Sequence, residues 1–167
     1  VVVPPPMPRT VNELIPLAKA KPGELNYGSG STGGITHLMG ELFNVMAGVR
    51  IARIPYKSDA AQMVDQISGQ VQLQFNAPAS VIEYVKSGRL VLLAVTSAQP
   101  SPLYPGVPTV AATLPGYDAE GLTTIFAPAR TPASIINRLN QEIVRYLKTA
   151  DAGEKFAVLG SKTIGST

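Results

Sequence analysis

The stretch Gly28-Ser29-Gly30-Ser31-Thr32-Gly33-Gly34 is the part of the chain best suited to hold a ligand. Glycines let a backbone approach a bound group closely, and the hydroxyls of Ser29, Ser31 and Thr32 add donors. A helical pattern begins directly after it. Free N–H groups and the positive end of a helix dipole therefore face the same place. Together these features make an anion site with no charged side chain. The plain alternative is a turn that needs glycines only for its backbone angles. Gly28, Gly30 and Gly33 also match the dinucleotide fingerprint G-x-G-x-x-G, but the preceding strand is short and polar. The next strand ends at Tyr56 and Lys57, with no acidic residue for a ribose. The Walker pattern fails, because Gly34 and Ile35 stand where Lys and Ser/Thr belong. No Lys or Arg lies between Lys21 and Arg50, whereas a phosphate wants a cation close by. The loop favours a carboxylate.

Other residues invite chemistry and do not complete it. His37 and Glu41 lie four apart on one helix face, but two ligands are too few for zinc and the chain has no Cys. Ser31 with His37 lacks the G-x-S-x-G elbow of a hydrolase. Two more strand-to-helix loops could face the same cleft. One is Tyr56-Lys57-Ser58-Asp59. The other is Phe75-Asn76-Ala77-Pro78, where Phe75 offers a flat apolar face and Asn76 both donates and accepts. Each reads equally well as an ordinary helix cap.

The elements that must carry these loops alternate between helical and strand patterns. Helices are expected over 10–19, 35–47, 58–68, 78–87 and 131–147, with a shorter one over 155–159. Thr10 with Glu13 forms a capping box, and Gly48, Gly69 and Gly88 are helix stops. Expected buried stripes include Ile35, Leu38, Met39, Leu42, Phe43 and Met46, and then Ala61, Val64 and Ile67. Strands are expected over 24–27, 49–56, 71–75, 90–95 and 117–126. Leu90 to Val95 is wholly apolar, as a parallel strand covered on both faces would be. Residues 101–116 are Pro-rich and read as a crossing segment. The alternation predicts an α/β fold with a mostly parallel sheet flanked by helices.

Composition narrows the classes further. Of 167 residues, 45% are apolar and only 15% charged, so the chain is not disordered. The net charge is +3, and the basic residues form no stripe, which speaks against a nucleic-acid partner. The longest apolar run is far below the ~20 residues of a membrane helix. The start, VVVPPPMPR, has no basic n-region and no cleavage site, and it does not read as a signal peptide.

The order of several motifs resembles a known family. Pro22-Gly23-Glu24-Leu25-Asn26-Tyr27-Gly28-Ser29 leads into the Gly/Ser/Thr loop, followed by His37-Leu38-Met39-Gly40-Glu41-Leu42-Phe43. Further along come Ile54-Pro55-Tyr56-Lys57, Gly69-Gln70-Val71-Gln72, Lys86-Ser87-Gly88-Arg89-Leu90, Leu93-Ala94-Val95-Thr96-Ser97 and Val107-Pro108-Thr109-Val110. Leu114-Pro115-Gly116-Tyr117, Ala127-Pro128 and Thr131-Pro132 complete the series. This order is similar to the receptors of tripartite tricarboxylate transporters, the TctC or Bug family of periplasmic solute-binding proteins.

The resemblance implies a Venus-flytrap receptor, not an enzyme, that binds a small carboxylate between two α/β lobes without a cofactor or metal. It implies a periplasmic location and membrane transporter subunits as partners. It points to Ser29, Gly30, Ser31, Thr32, Gly33, Gly34, Thr36 and His37 as ligand contacts. Tyr56, Lys57, Phe75 and Asn76 are expected to border the cleft, and Thr123 to lie on the returning strand. Asn76 stands where the family often has Asp. Family members are longer, so residues 9–101 are expected to form one nearly complete lobe. Residues 1–8 and 102–167 would supply crossing strands and part of the second lobe. Two other functions stay open: a nucleotide-binding enzyme using Gly28 to Gly33, and a remnant that binds nothing. Apolar strands at Val1-Val2-Val3 and Leu122 to Phe126 are expected to lack partners. A homodimer or a segment-swapped dimer would follow.

Overall fold

The computed structural model describes residues 1–166. Two compact units make up the chain. Residues 1–76 with 80–121 form the first, and residues 77–79 with those from 122 onward form the second.

The first unit holds a five-stranded sheet in the order β3-β2-β4-β1-β5. The strands are β1 (Val2–Val3), β2 (Asn26–Ser29), β3 (Ala52–Pro55), β4 (Leu73–Gln74) and β5 (Val91–Leu92). β2 pairs in parallel with β3 and β4. β1 runs antiparallel to both β4 and β5. The sheet is therefore mixed, with β1 opposing the other four. This corrects two expectations. Val1-Val2-Val3 is not an unpaired edge but an inner strand, fully buried and bonded on both sides. The apolar run from Leu90 forms a strand only over β5, whose partner is antiparallel. Residues 1–8 and 102–121, set apart from 9–101 in the sequence, fall in the same unit.

Side chains alternate across the sheet, so the two faces have separate cores. Val1 and Val3 join Tyr27, Leu73, Phe75 and Leu93 under α1 (Val11–Ala20) and α2 (Ile35–Ala47). Val2 faces the other way, toward Met63 of α3 (Asp59–Ile67) and Val81 of α4 (Pro78–Lys86). Helix ends follow their local chemistry. Thr10 caps α1 by accepting from the Glu13 amide, and Glu13 reaches back to the Arg9 amide. Ser58 caps α3, and Gly48 ends α2 in the left-handed region.

Two helices bury faces other than the apolar stripe. On α2, Ile35 and Leu38 are exposed, while Met39, Gly40, Phe43 and Ala47 face the sheet. The reason is Gly40. A Cβ there would lie 2.3 Å from Cε2 of Tyr27, so only glycine lets the helix settle on that ring. On α3, Val64 is exposed and Gln62, Met63 and Gln66 are buried. Of the two glutamines, only Gln66 bonds to backbone through its side chain, and Gln62 Nε2 and Gln66 Oε1 are buried without a partner among the described residues. The Gln66 side-chain amide donates to Val2 O, and Gln74 donates to Gln62 O.

Residues 101–116 carry a short 3-10 turn at Val110–Ala112, capped by Thr109. Tyr117 is then fully buried, and its hydroxyl donates to Met39 O on α2. The strand expected over 117–126 does not form. Its bond toward the sheet region is Ala119 N–H to Thr96 O, and residues 121–130 are exposed.

The second unit contains α5 (Ala133–Leu147) and α6 (Ala150–Val158). Pro132 is the cap of α5, and Thr131 instead bonds to Pro128 O. Thr149 caps α6 by accepting from the Ala152 amide. None of the α5 side chains is buried, although Ile135, Ile136 and Leu139 share one face.

Gly40→Ala tests the helix–strand contact. Alanine gains about 1 kcal/mol of helix propensity, but crowding of a packed core costs about 1–3 kcal/mol. The variant is expected to melt at a lower temperature. A higher melting temperature would show that α2 does not rest on Tyr27.

Candidate functional site

The loop between β2 and α2 is held by its own following turn. Gly28 and Ser29 belong to β2, so the loop proper runs from Gly30 to Gly34. Gly33 has φ +78°, which favours glycine, and the Gly34 amide donates to Ser31 O at 3.0 Å. The Gly30 amide donates to Thr36 Oγ1 at 3.1 Å, and the Gly33 amide to His37 Nδ1 at 3.0 Å. Thr36 and His37 thus reach back from the first turn of α2 to fix the loop. No side chain caps this helix and no acidic residue sits in its first turn. The amides of Ser31, Thr32, Ile35, Thr36 and His37 find no acceptor among the described residues. They remain available to an anion.

Arg53 is the residue that sequence reasoning missed. It lies on β3 beside Tyr27 and sends its guanidinium across to the loop. Nε donates to Ser29 Oγ at 2.6 Å, Nη1 to Thr32 Oγ1 at 3.0 Å and Nη2 to Gly30 O at 2.8 Å. The absence of Lys or Arg between Lys21 and Arg50 suggested a loop without a cationic side chain. Parallel pairing of β2 with β3 brings one in from the next strand. The available signal was a lone charge in the run Ile51 to Tyr56, in a βαβ unit whose strands end side by side. Asn44 helps set that pairing, because its side-chain amide exchanges two hydrogen bonds with the Ile51 backbone.

His37 and Glu41 belong to a second network. The Tyr27 hydroxyl donates to Glu41 Oε1 at 2.5 Å, and His37 Nε2 lies 4.0 Å from the same oxygen. Burial and this bond raise the Tyr27 pKa well above the ordinary phenol value. Because His37 Nδ1 accepts from Gly33, the neutral ring carries its proton on Nε2. No group of three or more His, Cys, Asp or Glu suited to a metal occurs among the described residues.

The remaining expected residues are placed unevenly. Ser29 is fully buried and serves as an anchor for Arg53, while Ser31 and Thr32 are exposed. Phe75 turns its ring inward, edge-on to Tyr27 and tilted against Phe43. The flat face expected for a ligand is core instead, because Phe75 continues the buried register of β4. Asn76 is half-buried and donates to Gln74 Oε1 at 2.6 Å. Lys57 is exposed at the end of β3. Thr123 belongs to the second unit, in an exposed segment without regular structure. Gly28 has no turn to make. It lies inside β2, where a Cβ would meet Gln62 Cγ at 2.9 Å.

Tyr56 donates to Asp65 Oδ2 at 2.7 Å. Burial, with that bond, pushes its pKa from 10.0 up to about 12. The fold therefore prefers the neutral phenol. Its stabilisation is complete below pH 10 and is lost as pH rises toward about 12. Denaturation of wild type and Tyr56→Phe across this range checks it. The stability difference between them is expected to shrink above pH 10, and a constant difference would contradict the bond.

The sequence profile of the tripartite tricarboxylate transporter family receptor matches residues 1–159. A UPF0065 protein from the tcbD-tcbE intergenic region of Pseudomonas sp. (strain P51) is 33% identical over 159 residues, covering 94% of this chain and 47% of the relative. Protein BugT of Bordetella pertussis is also 33% identical over 159 residues, covering 95% and 49%. The chain spans about half the length of these curated relatives. Among solved structures, R. palustris Rpa4515 with adipate superposes with a TM-score of 0.90 at 33% identity, over 99% of this chain and 56% of that one. A structure described as a periplasmic transporter gives 0.83 at 29%, again over 99% and 56%. BugD, a periplasmic binding protein, shares the fold at 0.77 and 23%, over 98% and 56%. The α/β architecture of this chain is that of these solved structures. With a profile match across nearly its whole length, the chain belongs to the tripartite tricarboxylate transporter receptor family.

Proposed function

We propose that this chain is the ligand-binding part of a periplasmic solute receptor. It captures a small carboxylate and delivers it to the membrane subunits of a tripartite tricarboxylate-type transporter. The observation that carries this reading is the β2–α2 loop, which offers five unpaired amides and a cation with no acidic side chain in the first helical turn. Such a loop satisfies a carboxylate and offers little to a neutral solute. Adipate in the similar Rpa4515 structure supports a dicarboxylate over citrate, acidic amino acids or aromatic acids. Thr36, His37, Tyr56, Lys57 and Asn76 are proposed to border the ligand. Phe75 backs the site from the core.

The nucleotide reading is disfavoured by Gly28. In the dinucleotide fingerprint the first glycine makes a tight turn, whereas Gly28 here is a strand residue packed against Gln62. Thermal shift separates the two. A ligand present at a hundredfold excess over its Kd stabilises by about 2.7 kcal/mol. Adipate is expected to raise the melting temperature, with NAD and ATP giving no shift. Gly33→Val forces a β-branched residue to positive φ and is expected to abolish the response. Lys19→Glu, at an exposed position on α1, is expected to retain it. Shifts with nucleotides alone would overturn the reading, and shifts with nothing would favour the remnant.

Self-association is proposed on narrower grounds than the sequence suggested. β1 is paired, so the open apolar positions are Leu122, Ile125 and Phe126, each at least 74% exposed. A second copy is proposed to cover them. Light scattering is expected to show a dimer that Ile125→Glu with Phe126→Glu returns to monomer. A monomer at every concentration would contradict this.

A further inference from the structure

The side chains of the β2–α2 loop follow one rule. Their acceptors point inward and their protons point outward. Thr36 Oγ1 accepts from Gly30, and His37 Nδ1 accepts from Gly33. Thr32 Oγ1 and the buried Ser29 Oγ both accept from Arg53. The carbonyl of Gly30 is taken by Arg53 and that of Ser31 by Gly34. A hydroxyl that accepts from a cation turns its own proton away from it. Thr32, Thr36 and His37 Nε2 are thereby left as donors.

Arg53 is the centre of this arrangement, and it is uncompensated. The half-buried guanidinium gives three of its N–H groups to neutral oxygens. None of the ion pairs among the described residues includes it. A guanidinium has five donors and stays charged at every physiological pH, so two donors and a full positive charge remain. Its three bonds reach one residue of β2 and two of the loop, a span that a lysine ammonium cannot match.

We propose that Arg53 is the positioning residue of the carboxylate site, and that it makes the loop select an ionised carboxylate over a neutral isostere. This rests on the receptor reading above. The guanidinium sets the loop in its binding shape before the ligand arrives, and its charge favours only an anion. Arg53 acts through Ser29, Gly30 and Thr32.

The test uses the full chain with Arg53→Lys and Arg53→Met, and Lys19→Met, at an exposed position on α1, as a control. One arm follows hydrogen exchange of the bonded loop amides of Gly30, Gly33 and Gly34 without ligand, with the buried amides of Leu14 and Phe43 reporting on the fold. The other arm compares adipate with its neutral diamide. Both Arg53 variants are expected to speed loop exchange while Leu14 and Phe43 stay protected. Their adipate affinity is expected to fall by roughly tenfold to a hundredfold, the range for a charged hydrogen bond. Wild type is expected to ignore the diamide, and Lys19→Met to behave as wild type. If Arg53→Lys keeps both loop protection and affinity, the positioning role is wrong and the receptor reading stands. Diamide binding equal to adipate would overturn the selectivity. If wild type ignores adipate while loop exchange still depends on Arg53, the receptor reading and its selectivity fail and the clamp remains. If loop exchange is insensitive to Arg53, the clamp fails whatever binds.

Discussion

The ring of Tyr27 occupies the space that a side chain at residue 40 would fill, and the site depends on that contact. Gly40 lets α2 lie directly on the ring. Phe75 meets the same ring edge-on, and Phe43 closes over Phe75 from α2. The hydroxyl end then bonds Glu41, one residue beyond Gly40. One residue of β2 is thus held along its length by α2 and β4. Since the loop is only the path between β2 and α2, fixing these two elements fixes its ends. Tyr117 adds a second tie by bonding Met39 O. A buried aromatic residue with a satisfied hydroxyl is rigid as well as apolar, and rigidity is what a preset loop requires.

From that base the electrostatics follow. The first turn of α2 has no acid and no side-chain cap, so its amides stay unmet. Most helices satisfy such groups locally, at N-caps like Thr10 and Ser58 in this same chain. Here Thr36 and His37 instead spend their acceptors on the glycines of the loop. Arg53 spends its donors on the loop's oxygens. The result is a concave group of donors beside one positive charge, built almost wholly from neutral residues. Placing the cation on β3 sets it inside the hydrogen-bonded frame of the loop.

Much of this was legible in the sequence, and the failures have physical causes. Capping chemistry is local, so Thr10, Ser58 and Gly48 could be read directly. The uncapped first turn of α2 was legible for the same reason. Arg53 was not, because its partners are more than twenty positions away and meet it only through strand pairing. The buried face of α3 was hidden because hydropathy treats Gln62 and Gln66 as surface residues, while in the fold both are buried and the Gln66 side chain finds Val2 O. The apolar run from Leu90 said that a strand was buried but nothing about its direction. Phe75 looked like a ligand platform because its neighbours are loop residues, whereas pairing of β4 places it in the core.

The central claim is that an anion enters the β2–α2 loop. Amide chemical shifts of the labelled full chain during titration with adipate test it most directly. Saturable shifts are expected at residues 30–37, led by Ser31, Thr32 and Thr36, with the core around Leu14 and Leu73 unmoved. Saturable shifts centred on another part of the chain, with residues 30–37 unmoved, would contradict it.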